Sequence, residues 1–328
     1  MRPPSRPVLP HFPVGLAKPD LGPWLGGNTS VPGFWSFAAT APGPHVMLMA
    51  LVHGNEIGGG IALARLLAGG LRPLRGRLTM GFANLAAFAA FDPADPIASR
   101  CIDEDMNRLW CRAVLDGPRS SQELRRAREI RPLIDTADIL LDLHSMLWQG
   151  EPLMLCGPSD KARRLAQSIG APALVVTDEG HAAGRRLIDY RPFADPGGPR
   201  TAVLLEAGHH WEPATVGVMI DSITRLLRLS GMIDAATALR LSPDPPVQAP
   251  AVRQRVAQVT RTVTAMTDSF AFVRNYPSGE IIESRNTLIA LDGEAEVRTP
   301  HDRCLLVMPA LSTQKGQTAV RMAKLVEA

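Results

Sequence analysis

Several things this sequence lacks narrow its reading at once. Cysteine is scarce: Cys101, Cys111, Cys156 and Cys304 are the only four in 328 residues, and no two of them stand in a CxxC spacing. Four thiols in a chain of this length do not make a disulfide scaffold, so reduced thiols and a cytoplasmic location are expected. No apolar run approaches the ~18 residues that a spanning helix needs, so no membrane partner is expected. The first residues, MRPPSRPVLPHF, are rich in proline and carry no apolar core of the kind a secretory signal requires. Charge of one sign is missing as well. With 35 basic and 32 acidic residues the net charge is +3, and the arginines are dispersed. That balance gives no footing for nucleic acid, which calls for clustered basic residues. Neither an internal repeat nor a low-complexity tract is present, and the glycines Gly58, Gly59 and Gly60 are not followed by the Gly-Lys-Ser/Thr of a phosphate loop.

What is present is an ordinary globular composition, 45% hydrophobic and 20% charged, in a chain long enough for one large unit and a smaller one. Apolar runs alternate with helical patterns as far as residue 241. Strands are expected at Gly33 to Thr40, His45 to Val52, Arg77 to Asn84, Ala137 to Leu143, Pro152 to Cys156, Ala173 to Thr177 and Thr201 to Leu205. Helices are expected at Ile57 to Ala68, Ser120 to Asp135, Asp160 to Ile169, Thr215 to Leu229 and Met232 to Leu241, the second of them capped by Ser120 or Ser121 together with Glu123 or nearby acids. Alternation of this kind predicts an α/β fold with a mainly parallel sheet flanked by helices. A proline-rich stretch, Ser242 to Ala251, marks a boundary. It divides a catalytic domain, residues 1–245 with an irregular arm over about 1–33, from a smaller β-rich C-terminal domain, residues 246–328. Strands there are expected at Ala257 to Met266, Ala271 to Arg274, Thr287 to Leu291 and Cys304 to Met308. Between Phe91 and Trp110 lies a long polar loop, and loops of that length inside a domain are often functional.

Three apolar runs end in polar groups. Val46 to Val52 leads into His53-Gly54-Asn55-Glu56, Ala137 to Leu143 into His144, and Thr201 to Leu205 into Glu206. If these strands are parallel, their carboxyl ends share one edge, where open α/β sheets bind ligands. His53, Glu56 and His144 then form two imidazoles and one carboxylate, the ligand set of a catalytic zinc with an open fourth position, one ion per chain. Such an ion lowers the pKa of water towards ~7 and polarises a carbonyl. Glu206 is left as a carboxylate on the same edge, placed to act as general base and acid. Asp142, two residues before His144, shares its strand face and is expected behind the ligands, orienting an imidazole. The three glycines after Glu56 read as residues that let a helix start close to the sheet.

Four blocks carry a resemblance: His53-Gly54-Asn55-Glu56, Asp105-Met106-Asn107-Arg108, Asp142-Leu143-His144-Ser145 and Glu206-Ala207-Gly208. In this order and spacing they resemble the succinylglutamate desuccinylase/aspartoacylase family, which belongs with the zinc-carboxypeptidase-like hydrolases. The resemblance covers roughly residues 35 to 240, and the β-rich tail is similar to the family's C-terminal domain without a sharp motif. It implies zinc on His53, Glu56 and His144, and Glu206 as catalytic acid/base. It also implies that Asn107 and Arg108 bind a carboxylate of a small-molecule substrate, which a guanidinium can grip through two parallel hydrogen bonds. Arg100 falls where the family places an arginine that polarises the scissile carbonyl, a contribution of about 3 kcal/mol at a developing oxyanion.

The implied reaction is hydrolysis of an N-acyl amino acid or a related acylated amine. A carboxypeptidase-type peptidase and a non-catalytic binding protein on the same fold are the alternatives. The complete ligand set together with Glu206 argues against the second, and a β-rich tail restricting the mouth argues against the first. Met106 replaces the family's usual leucine, a volume-conserving change. The family also uses an arginine shortly before the catalytic glutamate, for which Arg185, Arg186, Arg191 and Arg200 compete, and a tyrosine from the tail, where Tyr276 is the only one. His181, His209 and His210 have no role assigned by the resemblance. Whether the chain forms a homo-oligomer is left open by the sequence.

Overall fold

The uncharged run after His45 becomes the centre of the molecule. In the computed structural model, which describes residues 12–242 and 254–326, it forms β2 (His45–Ala50), and all of its residues are buried. A strand covered on both faces reads as a continuous apolar run because neither face meets water. Val46, Leu48 and Ala50 belong to a core shared with α1 (Ile57–Ala68), α5 (Asp160–Ile169) and α7 (Pro213–Leu229), while Met47 and Met49 belong to the core under α4 (Gln122–Ile134). Helices therefore cover both faces of the sheet.

Among the described residues the sheet has eleven strands. Beside β2 stand β3 (Arg77–Phe82) and β4 (Ile139–Met146), both parallel to it, and β7 (Thr201–His209) runs parallel to β4. β1 (Phe34–Ala38) closes one edge, antiparallel to β3. On the other side β5 (Leu153–Cys156) turns antiparallel to β7, and β6 (Leu174–Thr177) follows parallel to β5. The sheet is thus mixed, and the three runs that end in polar residues are the ones that run parallel side by side.

Two of these strands extend further than their apolar runs. β4 continues through His144 and Ser145, and β7 continues through Glu206, because His144 and Glu206 are themselves register partners across the ladder. A register shift then follows between His144 and Met146, opposite Gly208, whose φ of 114 is a conformation that L side chains rarely adopt.

The shorter helices are α2 (Leu85–Ala89), α3 (Arg112–Leu115), α6 (Arg191–Ala194) and α8 (Ala235–Leu241). None of the described helices is long and apolar enough to cross a membrane. α4 starts on Ser121, whose Oγ accepts from the Leu124 N–H at 2.9 Å. The expected partnership with Glu123 does not form, since that carboxylate is engaged elsewhere.

The proline-rich stretch after Ser242 lies outside the described residues. Beyond it the sheet simply continues. β8 (Arg255–Thr264) pairs parallel with β6, and β14 (Thr318–Val326), β13 (Cys304–Val307) and β10 (Ile281–Ile282) add antiparallel strands in that order. A separate three-stranded sheet of β9 (Phe270–Phe272), β11 (Leu288–Asp292) and β12 (Ala295–Arg298) packs in the same C-terminal part. β14, unassigned from sequence, carries Arg321 in a run that is otherwise largely apolar, and that arginine is buried.

Candidate metal centre and the cleft around it

His53 leaves β2 through a tight passage. Leu51 takes a φ of 59, unusual for a branched residue and the kind of strain that collects at functional sites. One residue past His53, a Cβ on Gly54 would stand 2.2 Å from the Ala87 backbone, so only glycine allows the chain to pass. Glu56 then sits at the N-terminal boundary of α1, and a Cβ on Gly59 would meet Ala50 at 3.0 Å, which shows how closely that helix seats on the sheet.

The Glu56 carboxylate does not cap its helix. Oε1 lies 2.7 Å from His53 Nδ1, and Oε2 lies 3.0 Å from His144 Nδ1 while accepting from the Ser145 N–H at 3.0 Å. All three side chains are buried, and one ligand atom from each lies within 4.8 Å of the others, the only such group among the described residues. A carboxylate stands behind each imidazole. Asp105 Oδ1 is 2.9 Å from His53 Nε2, and Asp142 Oδ2 is 2.9 Å from His144 Nε2. Carboxylates in that position fix ring orientation and raise ligand basicity.

The donor set fits zinc. Two imidazole nitrogens and one carboxylate oxygen, buried and convergent, are the ligands of a catalytic site that keeps a position open. The charge balance fits as well. Burial alone would lower the His144 pKa, but Asp142 and Glu56 outweigh it and hold the imidazole well above its ordinary value. Burial would raise Glu56, yet His144 and then His53 keep it well below the usual carboxylate range. A dication would replace the proton on which this arrangement relies.

Glu206 lines the cleft beside this set, and its Oε2 is buried with no hydrogen-bond partner. Burial first, and the Glu56 carboxylate second, push its pKa up to about 8. Arg100 reaches in from the long loop. Its Nη2 lies 2.9 Å from His53 Nε2 and donates to Asp105 Oδ2 at 3.1 Å, and its Nη1 is 3.6 Å from Glu56 Oε1.

Arg108 also lines the cleft, with Nη1 donating to the Asn107 carbonyl at 2.8 Å and 3.7 Å from Asp105 Oδ2. Burial, reinforced by neighbouring arginines, brings its pKa down to about 10, so it stays charged near neutrality. Asn107 is placed differently from Arg108. It is buried, does not line the cleft, and its Oδ1 accepts from the Leu187 N–H at 2.7 Å, so it anchors the loop.

The loop itself is held by a residue that sequence reasoning gave another part. Glu123, fully buried, accepts from the backbone N–H groups of Ile102 (2.6 Å), Asp103 (3.0 Å) and Glu104 (3.2 Å) and from Asn84 Nδ2 (3.1 Å). One carboxylate thus gathers the segment between Arg100 and Asp105. A charged residue at the first turn of an otherwise amphipathic helix was the only signal, and it pointed equally to capping.

None of Arg185, Arg186, Arg191 and Arg200 lines the cleft. Arg186 is committed to a buried network with Asp178 and Asp189, and Arg200 donates to the Asp135 carbonyl. The network is completed from β14: Arg321 Nε lies 2.8 Å from Asp178 Oδ2, and its guanidinium also contacts His181. Tyr276 is not part of the cleft either; its ring sits 3.9 Å from the Arg274 guanidinium and near Phe272. His209 packs on Phe12 and Trp211. His181 and His210 do line the cleft, the latter with Nδ1 2.7 Å from Ser145 Oγ, and burial takes its pKa down to about 3. The cleft as a whole measures about 630 Å³.

A profile of the succinylglutamate desuccinylase/aspartoacylase catalytic domain matches residues 42–210, more than half of the chain. The chain belongs to this family. Its members are hydrolytic deacylases, and the matched segment holds His53, Glu56, Arg100, Asn107, Arg108, Asp142, His144 and Glu206. Solved structures agree at the level of fold. Succinylglutamate desuccinylase from Vibrio cholerae superposes with a TM-score of 0.65 at 17% identity, over 90% of this chain and 86% of that one. A succinylglutamate desuccinylase/aspartoacylase from Rhodobacter sphaeroides gives 0.64 at 18%, over 90% and 89%. The product-bound ectoine utilization protein EutE (DoeB) from Ruegeria pomeroyi gives 0.60 at 16%, over 88% and 87%. No curated protein matches the sequence.

Proposed function

We propose that this protein is a zinc-dependent amidohydrolase that splits the amide of a small N-acyl amino acid, or a related acylated amine, into a carboxylate and an amine. The observation that carries this reading is the buried His53, Glu56 and His144 set, backed by Asp105 and Asp142, with Glu206 beside it on the cleft. Zinc held by these three residues would supply Lewis acidity towards a carbonyl and acidify water.

The remaining chemistry belongs to the chain. Glu206 takes a proton from the attacking water and returns it to the leaving nitrogen as the C–N bond breaks. Arg100 sits close enough to the set to meet charge that develops on the carbonyl oxygen, while Arg108 grips a substrate carboxylate. A bounded cleft of about 630 Å³ supports a small substrate over an extended peptide chain.

Metal analysis of protein purified without added metal is expected to find about one zinc per chain. His144→Ala should lose it. Glu206→Gln should keep the metal and lose turnover by about 10²–10⁴-fold. Amine release from a panel of N-acetyl, N-succinyl and N-formyl amino acids and short peptides reads the activity. Full zinc content in His144→Ala, or undiminished turnover in Glu206→Gln, would remove this reading.

A further inference from the structure

The charges of the cleft are unevenly distributed. Its charged lining residues are Glu56, Arg100, Asp105, Arg108 and Glu206, all from the metal-side segments. Arg100 is drawn to Asp105 and Glu56, whereas Arg108 approaches its nearest acid only to 3.7 Å. That leaves one guanidinium to receive one carboxylate.

The opposite rim is built from residues 146–149, Ser278 and the stretch 308–318; its one charged residue, Lys315, is exposed and does not line the cleft. Leu147, Trp148 and Leu311, with Ile97 from the long loop, are half-buried and pack against the main core while facing the cleft. The rim is tied into the fold rather than laid over it. The Ser278 N–H donates to the Gln149 carbonyl (3.1 Å), the Met308 N–H to Ser278 Oγ (3.0 Å), and the Ala310 N–H to the Ala319 carbonyl (2.8 Å). These contacts pre-form a wall across from the arginines that is apolar at Leu147, Trp148 and Leu311 and carries neutral polar groups at Gln149, Ser312 and Gln314.

We infer that the cleft selects N-acyl substrates carrying one carboxylate and one apolar group, aliphatic or aromatic, over substrates carrying two carboxylates. The inference rests on the deacylase reading of the same site and names its substrate class. A second carboxylate at the rim would be stripped of water and meet neutral amides and hydroxyls, with no cation among the lining residues. An alkyl group there gains roughly fourfold in binding for each methylene it buries. The apolar group can be the acyl chain or the amino-acid side chain, since either can lie opposite Arg108.

The test varies the two ends separately. The kcat/KM is measured for N-acetyl-leucine against N-acetyl-aspartate, and for N-hexanoyl-alanine against N-succinyl-alanine. At least one apolar member is expected to exceed its dicarboxylate counterpart by tenfold or more, and the pair in which it does identifies the end that the rim receives. Dicarboxylates equal or better in both pairs would overturn the inference. Binding of the same four compounds to Glu206→Gln, followed by calorimetry, decides the matter without turnover and must show the same order. A protein that hydrolyses none of the panel yet binds the apolar compounds preferentially refutes the deacylase reading and leaves this one standing. Leu311→Arg adds a cation at the rim and should shift the preference towards the dicarboxylate of the affected pair; an unchanged ratio there counts against the rim.

Discussion

Replacing Glu123 with alanine should loosen the loop that brings Arg100, Asp105 and Arg108 to the cleft. The carboxylate accepts three backbone N–H groups and one side-chain amide, and it is fully buried. Bonds of this kind to a charged group are worth about 1.5–3 kcal/mol each when a partner is removed. The simple sum overstates the loss, because Ile102 and Asp103 are exposed and water can reach part of the freed backbone. A net destabilisation of about 3 kcal/mol is expected, read by urea unfolding. Glu123→Gln keeps an acceptor and should lose less.

The sign of the pH dependence follows from the same bonds. Burial would raise the Glu123 pKa, but the Ile102 N–H, Asn84 and the Asp103 N–H outweigh it and hold it below the usual carboxylate range. Its stabilisation is therefore complete above the unfolded value and fades as pH falls through the folded one. The difference between wild type and Glu123→Gln should narrow on acidification across that window. An alanine variant within about 0.5 kcal/mol of wild type would refute the claim that this carboxylate holds the loop.

Two further expectations concern the neighbours of the site. Asp105→Asn preserves an acceptor for the Asn107 N–H, now at 2.8 Å, but removes the charge behind His53, so zinc affinity measured by chelator competition should fall about 10–100-fold. Asp178→Ala strips Arg186 and Arg321 of a shared buried partner and should cost about 3–5 kcal/mol in unfolding free energy. Arg186 and Arg321, against burial, keep the Asp178 carboxyl below its usual range, so its contribution is present above that range and is lost as pH falls through the lowered value.

What could be read from the chain and what could not divides along physical lines. The apolar runs before His53, His144 and Glu206 were legible because a strand buried on both faces must be apolar throughout. A polar residue closing such a run is conspicuous for the same reason. The exact reach of those strands was not legible: β4 and β7 carry on in parallel register as far as His144 and Glu206, which stand opposite each other in the ladder. Nor was β14, whose Arg321 breaks the apolar pattern and is tolerated only because Asp178 meets it inside.

The sequence by itself determined the class of fold, the family, and the residues whose donor atoms gather at one sheet edge. Hydrophobic burial is a local property, written residue by residue along each strand, and the four blocks are short contiguous stretches. Tertiary structure alone decided that Asp105 stands behind His53, that Glu123 holds the loop, that Asn107 anchors rather than lines, and that the sheet runs unbroken from β6 into β8. Those facts depend on which charged group meets which across tens of residues of chain. Hydrogen bonds and ion pairs leave no period in the sequence, because their partners are chosen by position in space.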